Sequence, residues 1–183
     1  MRLFVGVPLP TEQRLALKQI LGPWRFKHSH LKWVEPSHFH FTLQFLGDVS
    51  PRQLPTLVEA LQELQMKSSF SLETGAAFAM PAGDRARVLA LGLLSGVKNL
   101  RELAECVQRV TDPLGFKPDR RGFKAHLTLA RVRRGDKLRL DPDDIGTPHL
   151  PTFSVDAFHL YESELTPKGP IYRSLLEVKL HQG

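Results

Sequence analysis

The sequence is poor in the features that mark secreted, membrane-spanning or nucleotide-triphosphate-driven proteins. Its 183 residues include one cysteine, Cys106. A lone thiol closes no internal disulfide, so the fold does not depend on an oxidising compartment. Cys106 falls within the helix-like stretch "VKNLRELAECVQRVTDPLGF" and reads as a small buried hydrophobe. The longest apolar run, "VLALGLLSGV", is far short of the roughly 20 residues that cross a bilayer. "MRLFVGVPLP" places one basic residue before an apolar run that stops at Pro8. It has neither the length nor the cleavage site of a secretory leader, so a cytoplasmic protein without membrane contact is expected. "LGLLSGVKNL" lacks the spacing of a Walker loop, which argues against ATP-driven chemistry.

What is present is ordinary for a folded domain: 42% apolar and 24% charged residues. The length is enough for one domain, or for two small lobes sharing an interface. The formal charge of +6 favours phosphate-bearing partners, although a charge of this size also serves solubility.

Hydrophobic periodicity divides the chain into strands and helices. "RLFVGVPL" reads as a buried strand. "TEQRLALKQILG" reads as a helix capped by Thr11, with Leu15, Leu17, Ile20 and Leu21 inward, stopped by Gly22. "PWRFKHSHLKWVEP" is irregular. In "SHFHFTLQFLGDV" strict alternation sets Phe39, Phe41, Leu43 and Phe45 on one face and His38, His40, Thr42 and Gln44 on the other. A second helix follows from Ser50 and Pro51, then a hairpin of "FSLETGAAFAM" and "RARVLALGLL" joined by "PAGD". The third helix spans about Val97 to Leu114 and ends at Gly115. "FKAHLTLARV" is a strand with Lys124, His126 and Thr128 on one face. A polar loop and the strands "TFSVDAFHLYESEL" and "IYRSLLEVKL" close the chain. Without strict strand–helix alternation, the expected class is α+β with mostly antiparallel sheet.

An internal echo carries the chemistry. "HFTLQFL" starts at His40 and "HLTLARV" at His126. Eight histidines and nine threonines placed at random in this length would give roughly 0.4 His-x-Thr pairs. Two such pairs, each followed by Leu and each in an alternating strand, point to paired use. On a strand, residues i and i+2 project together, so each motif sets an imidazole beside a hydroxyl. Two motif strands facing one cleft offer two imidazoles for proton transfer, with Thr42 and Thr128 as donors to phosphate oxygens. Histidine suits both proton roles because it titrates near neutral pH. Either histidine could be the acid on these grounds.

With these motifs the chain resembles the two-histidine (2H) phosphoesterases, specifically the bacterial RNA 2′,3′-cyclic phosphodiesterase or 2′-5′ RNA ligase-like branch. The matching strings are "RLFVGVPLP", "HFHFTLQFLGDV", "HLTLARV" and "FHLYESELTPKGPIYRSL". The resemblance implies a bilobal α+β fold of two mostly antiparallel sheets with pseudo-twofold symmetry, outer helices and a central cleft. One motif belongs to each lobe, at 40–43 and 126–129. It implies His40 as proton donor, His126 as base, a 2′-phosphate product, no metal and no cofactor, and reversal to 2′-5′ ligation. RNA ends or cyclic nucleotides are the implied partners, and a monomer is expected. Arg131 matches a frequent family arginine. Strict alternation turns it away from His126, so a bulge or strand end must redirect it if it touches phosphate. Non-catalytic binding of RNA ends, or action on another substrate such as 2′-5′ oligoadenylate, remain as alternatives.

Weaker features surround this core. Arg120, Arg121, Lys124, Arg131, Arg133 and Arg134 form either an electrostatic rim or a solvated surface. Phe45 and Tyr161 could stack on a base, although alternation assigns Phe45 to the core. His28, His30, His38 and His40 are close in sequence but lack a cysteine to complete a metal set. His149, His159 and His181 read as surface or satisfied histidines.

Overall fold

A computed structural model describes residues 1–64, 68–167 and 169–181. Among these residues nine strands are linked by hydrogen bonds into one sheet, and every pairing between them is antiparallel. The first lobe contains β1 (Arg2–Pro8), β3 (His40–Asp48), β8 (Ala157–Thr166) and β9 (Gly169–Lys179), ordered β3-β1-β8-β9. The second contains β4 (Phe70–Met80), β5 (Val88–Ser95), β6 (Leu127–Arg131) and β7 (Phe153–Val155), ordered β7-β4-β5-β6. The short β2 (Lys32–Trp33) adds to β6. The lobes join where Phe41 of β3 pairs with Leu127 of β6.

The all-apolar stretch of β1 explains its central place. Leu3, Phe4, Val5 and Val7 are all buried, as a strand covered on both faces requires. Behind the sheet lie α1 (Thr11–Lys27), α2 (Leu54–Gln62) and α3 (Val97–Thr111), with the short α4 (Pro142–Ile145) in the loop before β7. Leu17 and Leu21 of α1, Leu57 and Leu61 of α2, and Leu100, Leu103 and Val107 of α3 share one core with Val5, Val7, Phe41 and Leu43.

Several local expectations are corrected. Helix α1 continues through Gly22 and Pro23 to Lys27, and Pro10, not Thr11, occupies its N-cap. Buried Leu17 and Leu21 outweigh the weak intrinsic helix propensity at Gly22, and Leu15 stands exposed. Helix α2 begins at Leu54 with Pro55 in its first turn, while Ser50 donates to Gln53 Oε1 at 2.8 Å. The end of that expected helix lies outside the described residues. The expected strand "TFSVDAFHLYESEL" breaks at Asp156: β7 pairs with β4 in one lobe, and β8 pairs with β1 in the other. Cys106 is only partly buried, with its sulfur 3.4 Å from an Arg109 nitrogen.

Candidate active site

The site forms where the lobes meet. The Phe41–Leu127 bridge is antiparallel, so His40 and Thr128 fall to one side of it and Thr42 and His126 to the other. The two His-x-Thr motifs are thus related by a pseudo-twofold axis running between the strands. His40 opens β3, whereas His126 lies just before β6, which is shorter than the strand expected there.

Both imidazoles are held in the same way. His40 Nδ1 lies 2.6 Å from the carbonyl oxygen of His38, and His126 Nδ1 lies 2.7 Å from that of Lys124. A carbonyl only accepts, so each Nδ1 carries the proton and donates, and Nε2 becomes the reactive nitrogen in both rings. His40 Nε2 lies 3.0 Å from Thr42 Oγ1, which donates to it while the ring is neutral. His126 Nε2 has no hydrogen-bonding partner among the described residues.

Burial is the leading cause that lowers the pKa of each histidine. His40 falls from 6.5 to about 4; its hydrogen bond to His38 opposes the fall, and the Arg131 charge and nearby His126 add to it. His126 is lowered by burial, then by the charges of Arg131 and Lys124, against its hydrogen bond to Lys124. Each of the two rings senses the Arg131 charge, and the register of β6 agrees in setting that residue on the cleft face.

The bulge required to bring Arg131 there is present. Thr128 pairs with Ala90 and Ala130 with Leu89, leaving Leu129 as the extra residue. Arg131 then pairs with Val88, two residues from Ala90, and so shares the face of Thr128. A matching bulge follows the other motif. Thr42 pairs with Gly6 and Gln44 with Val5, leaving Leu43 extra. The strict alternation expected for β3 therefore fails after Leu43. Gln44 turns inward, 5% exposed, and its amide donates to Phe116 O while its oxygen accepts from Thr111. Phe45 turns outward to the cleft face, 63% exposed, with its ring centroid 6.1 Å from that of Phe4. Its expected place in the core is thus corrected.

Aromatic rings build the wall behind His40. The Phe4 ring lies 4.7 Å from His40, 5.1 Å from Tyr161 and 5.0 Å from Tyr172. His38 packs on Tyr172 at 4.5 Å. These rings desolvate His40, and His38, Tyr161 and Tyr172 line with it a pocket of about 260 Å3. Tyr172 and His38 belong to this wall without having been singled out as site residues; only their place in matched strings near the motifs hinted at it.

Gly6 completes the seat of His40. A Cβ at this position would lie 3.0 Å from Phe41 O and 3.3 Å from His40 Cδ2. This close approach is not legible in the sequence, because nothing in "RLFVGVPL" marks which strand faces the glycine.

The other basic residues divide. Arg133 donates to His30 O at 2.9 Å, and Arg121 pairs with Asp119 at 3.1 Å, so both are engaged within the protein. Lys124 lies over the Phe78 ring at 4.8 Å. Of the early histidines, His28 packs on Trp24 and lies edge-on to His30 at 5.9 Å, and His30 Nε2 meets Leu138 O at 3.2 Å. Among the described residues, no three His, Cys, Asp or Glu side chains gather as a metal set. None of the described helices is long and apolar enough to cross a membrane.

This two-lobed antiparallel sheet, with a His-x-Thr strand from each half at one cleft, defines a two-histidine phosphoesterase. The profile of the family described as "LigT like Phosphoesterase" matches residues 7–89 and 93–172, one motif in each stretch, and the chain belongs to that family. Among its relatives is an RNA 2′,3′-cyclic phosphodiesterase of Archaeoglobus fulgidus, 37% identical over 180 residues, covering 96% of this chain and 98% of the relative. The enzyme of the same name from Aeropyrum pernix is 34% identical, covering 81% and 86% respectively. A crystal structure from Thermus thermophilus superposes with a TM-score of 0.85 at 29% identity, covering 100% of this chain and 99% of that one. Escherichia coli LigT complexed with 3′-AMP gives a TM-score of 0.80 at 26% identity, covering 99% and 98%.

Proposed function

We propose that this protein hydrolyses RNA 2′,3′-cyclic phosphate ends to 2′-phosphomonoesters by metal-independent acid–base catalysis, with residues 1–183 acting as one unit of two lobes. The observation that carries this reading is the matched presentation of two Nε2 atoms by His40 and His126 on paired strands, with Arg131 turned to the same face by the bulge at Leu129.

The cyclic phosphate sits between the two motifs, its non-bridging oxygens taking donors from Thr42, Thr128 and Arg131. Neutral His126 Nε2 accepts a proton from water as the water oxygen bonds to phosphorus. Protonated His40 Nε2 donates its proton to O3′ as the P–O3′ bond breaks. The product carries a 2′-phosphate and a free 3′-hydroxyl; His126 is left protonated and His40 neutral, and proton exchange with solvent restores both before the next turnover. A 5′-hydroxyl taking the place of the water, with His126 as its base and O3′ again leaving, would form a 2′-5′ linkage at the same atoms.

The assignment of acid and base follows the family resemblance, and His126 Nε2, free of protein partners among the described residues, suits a base. His40 needs a proton that burial disfavours, since its pKa in the unliganded protein is about 4. The negative charge of a bound phosphodiester supplies the missing stabilisation by raising that pKa. Metal independence is supported by charge: a guanidinium beside both imidazoles opposes a divalent cation there and serves the phosphate in its place.

The test is to incubate the protein with a 2′,3′-cyclic nucleotide in excess EDTA and identify the product by 31P NMR. A 2′-phosphomonoester is expected. A 3′-phosphomonoester, or turnover that requires added metal, would reject the mechanism.

A further inference from the structure

A second pocket adjoins the one at His40. Pro8 lines both. The second, about 340 Å3, extends from Pro8 past Thr11 and Arg14 to Asp156 and His159. None of its other residues takes part in the proton transfers above.

Arg14 stands between the two pockets. Its Nη1 reaches Ser37 O of the first at 3.5 Å, and its Nη2 donates to Thr11 Oγ1 of the second at 3.0 Å. Both partners are neutral, and among the described residues no carboxylate lies within ion-pair distance of Arg14. Its Nε is buried with no hydrogen-bond partner. A guanidinium in this state retains capacity for an anion.

Flat rings lead into the same pocket. Phe4 stacks on Tyr161 at 5.1 Å and 24°, and Tyr161 on His159 at 5.4 Å and 19°. His159 is oriented by the 3.0 Å hydrogen bond between its Nδ1 and Ser174 Oγ. Stacked rings that end at a pocket suit a nucleobase of any identity. Asp156, which accepts from Ser154 Oγ at 2.5 Å, adds an acceptor for a base amino group.

We propose that this pocket is a subsite for the nucleotide preceding the cyclic end, with Arg14 on the phosphodiester that links the two nucleotides and His159 beneath the base. The inference rests on the RNA-end reading above. It makes the protein a reader of oligonucleotide ends in preference to free cyclic mononucleotides.

Binding of products tests it without turnover. The dissociation constants of a nucleoside 2′-monophosphate and of a dinucleotide ending in the same 2′-phosphate would be compared. Wild type is expected to bind the dinucleotide roughly tenfold more tightly. Arg14→Ala should erase that advantage and leave mononucleotide affinity within about twofold, because the lost contact is to the linking phosphate alone. His159→Leu should lower dinucleotide affinity selectively. Equal affinities in wild type, or an Arg14→Ala loss shared equally by both ligands, would overturn the subsite. Turnover of a cyclic mononucleotide by wild type, measured alongside, judges the parent reading separately.

Discussion

Phe45 and Arg131 occupy equivalent positions in the two halves of the protein. Each lies three residues after a motif threonine, and each is turned to the cleft by a bulge at the intervening leucine, Leu43 or Leu129. The pseudo-twofold site is therefore symmetric in its imidazoles and hydroxyls but asymmetric at its edges. One edge presents a cation, the other an exposed aromatic ring. That asymmetry suits a substrate with a phosphate and a base.

Replacing Arg131 with Ala should lower kcat/KM by about 10²–10³-fold, the range for losing one charge-stabilising donor. Its removal should also raise the pKa of His126 and of His40, because the Arg131 charge lowers both. Histidine titration by NMR checks this, and unchanged titration would place the guanidinium away from the imidazoles.

Phe45→Ala should leave the melting temperature nearly unchanged, since the ring is already 63% exposed. If the ring stacks on the terminal base, KM for cyclic nucleotides rises, by roughly the 1–3 kcal/mol of a base–aromatic contact. Phe41→Ala supplies the contrast. Its ring is fully buried, and its loss should cost about 3–5 kcal/mol of stability in a denaturant titration.

Gly6→Ala should displace His40, because the added Cβ meets Phe41 O and the His40 ring. Steady-state kinetics should show a fall in kcat of at least about tenfold with the protein still folded, as small misplacement of a reacting group is costly.

Acidification should destabilise the fold through His40. Its folded pKa of about 4 lies below the ordinary 6.5, so the unfolded chain takes up the proton first as pH falls. Above about pH 6.5 the ring is neutral in both states and adds nothing. Between 6.5 and 4 stability declines, by an amount on the order of 3 kcal/mol, and below 4 the loss is complete. His126 acts in the same direction. Denaturant titrations of wild type and His40→Asn across this window should show a shallower pH dependence in the variant.

The parts of this fold that were legible in the sequence are those fixed by periodicity and repetition. The apolar run of β1, the hairpin of β4 and β5, the third helix and the paired motifs all follow from residue pattern. The bulge at Leu43 did not, and with it the exposure of Phe45 and burial of Gln44 were lost. No glycine or proline marks that bulge; it is set by pairing with Val5 and Gly6, some forty residues away in the chain. The need for a similar bulge before Arg131 could be inferred only by asking what the arginine would have to reach. The transfer of the chain between lobes at Asp156 is likewise a matter of tertiary pairing, invisible in a continuous alternating stretch.

The shared use of two imidazoles is tested most directly by turnover of a 2′,3′-cyclic nucleotide in excess EDTA by wild type, His40→Ala and His126→Ala. Wild type should retain full activity with the metal chelated, and each variant should lose at least about 10²-fold in kcat, the lower range for a general acid or base. Near-normal turnover in either variant would show that one of these rings takes no part in the chemistry.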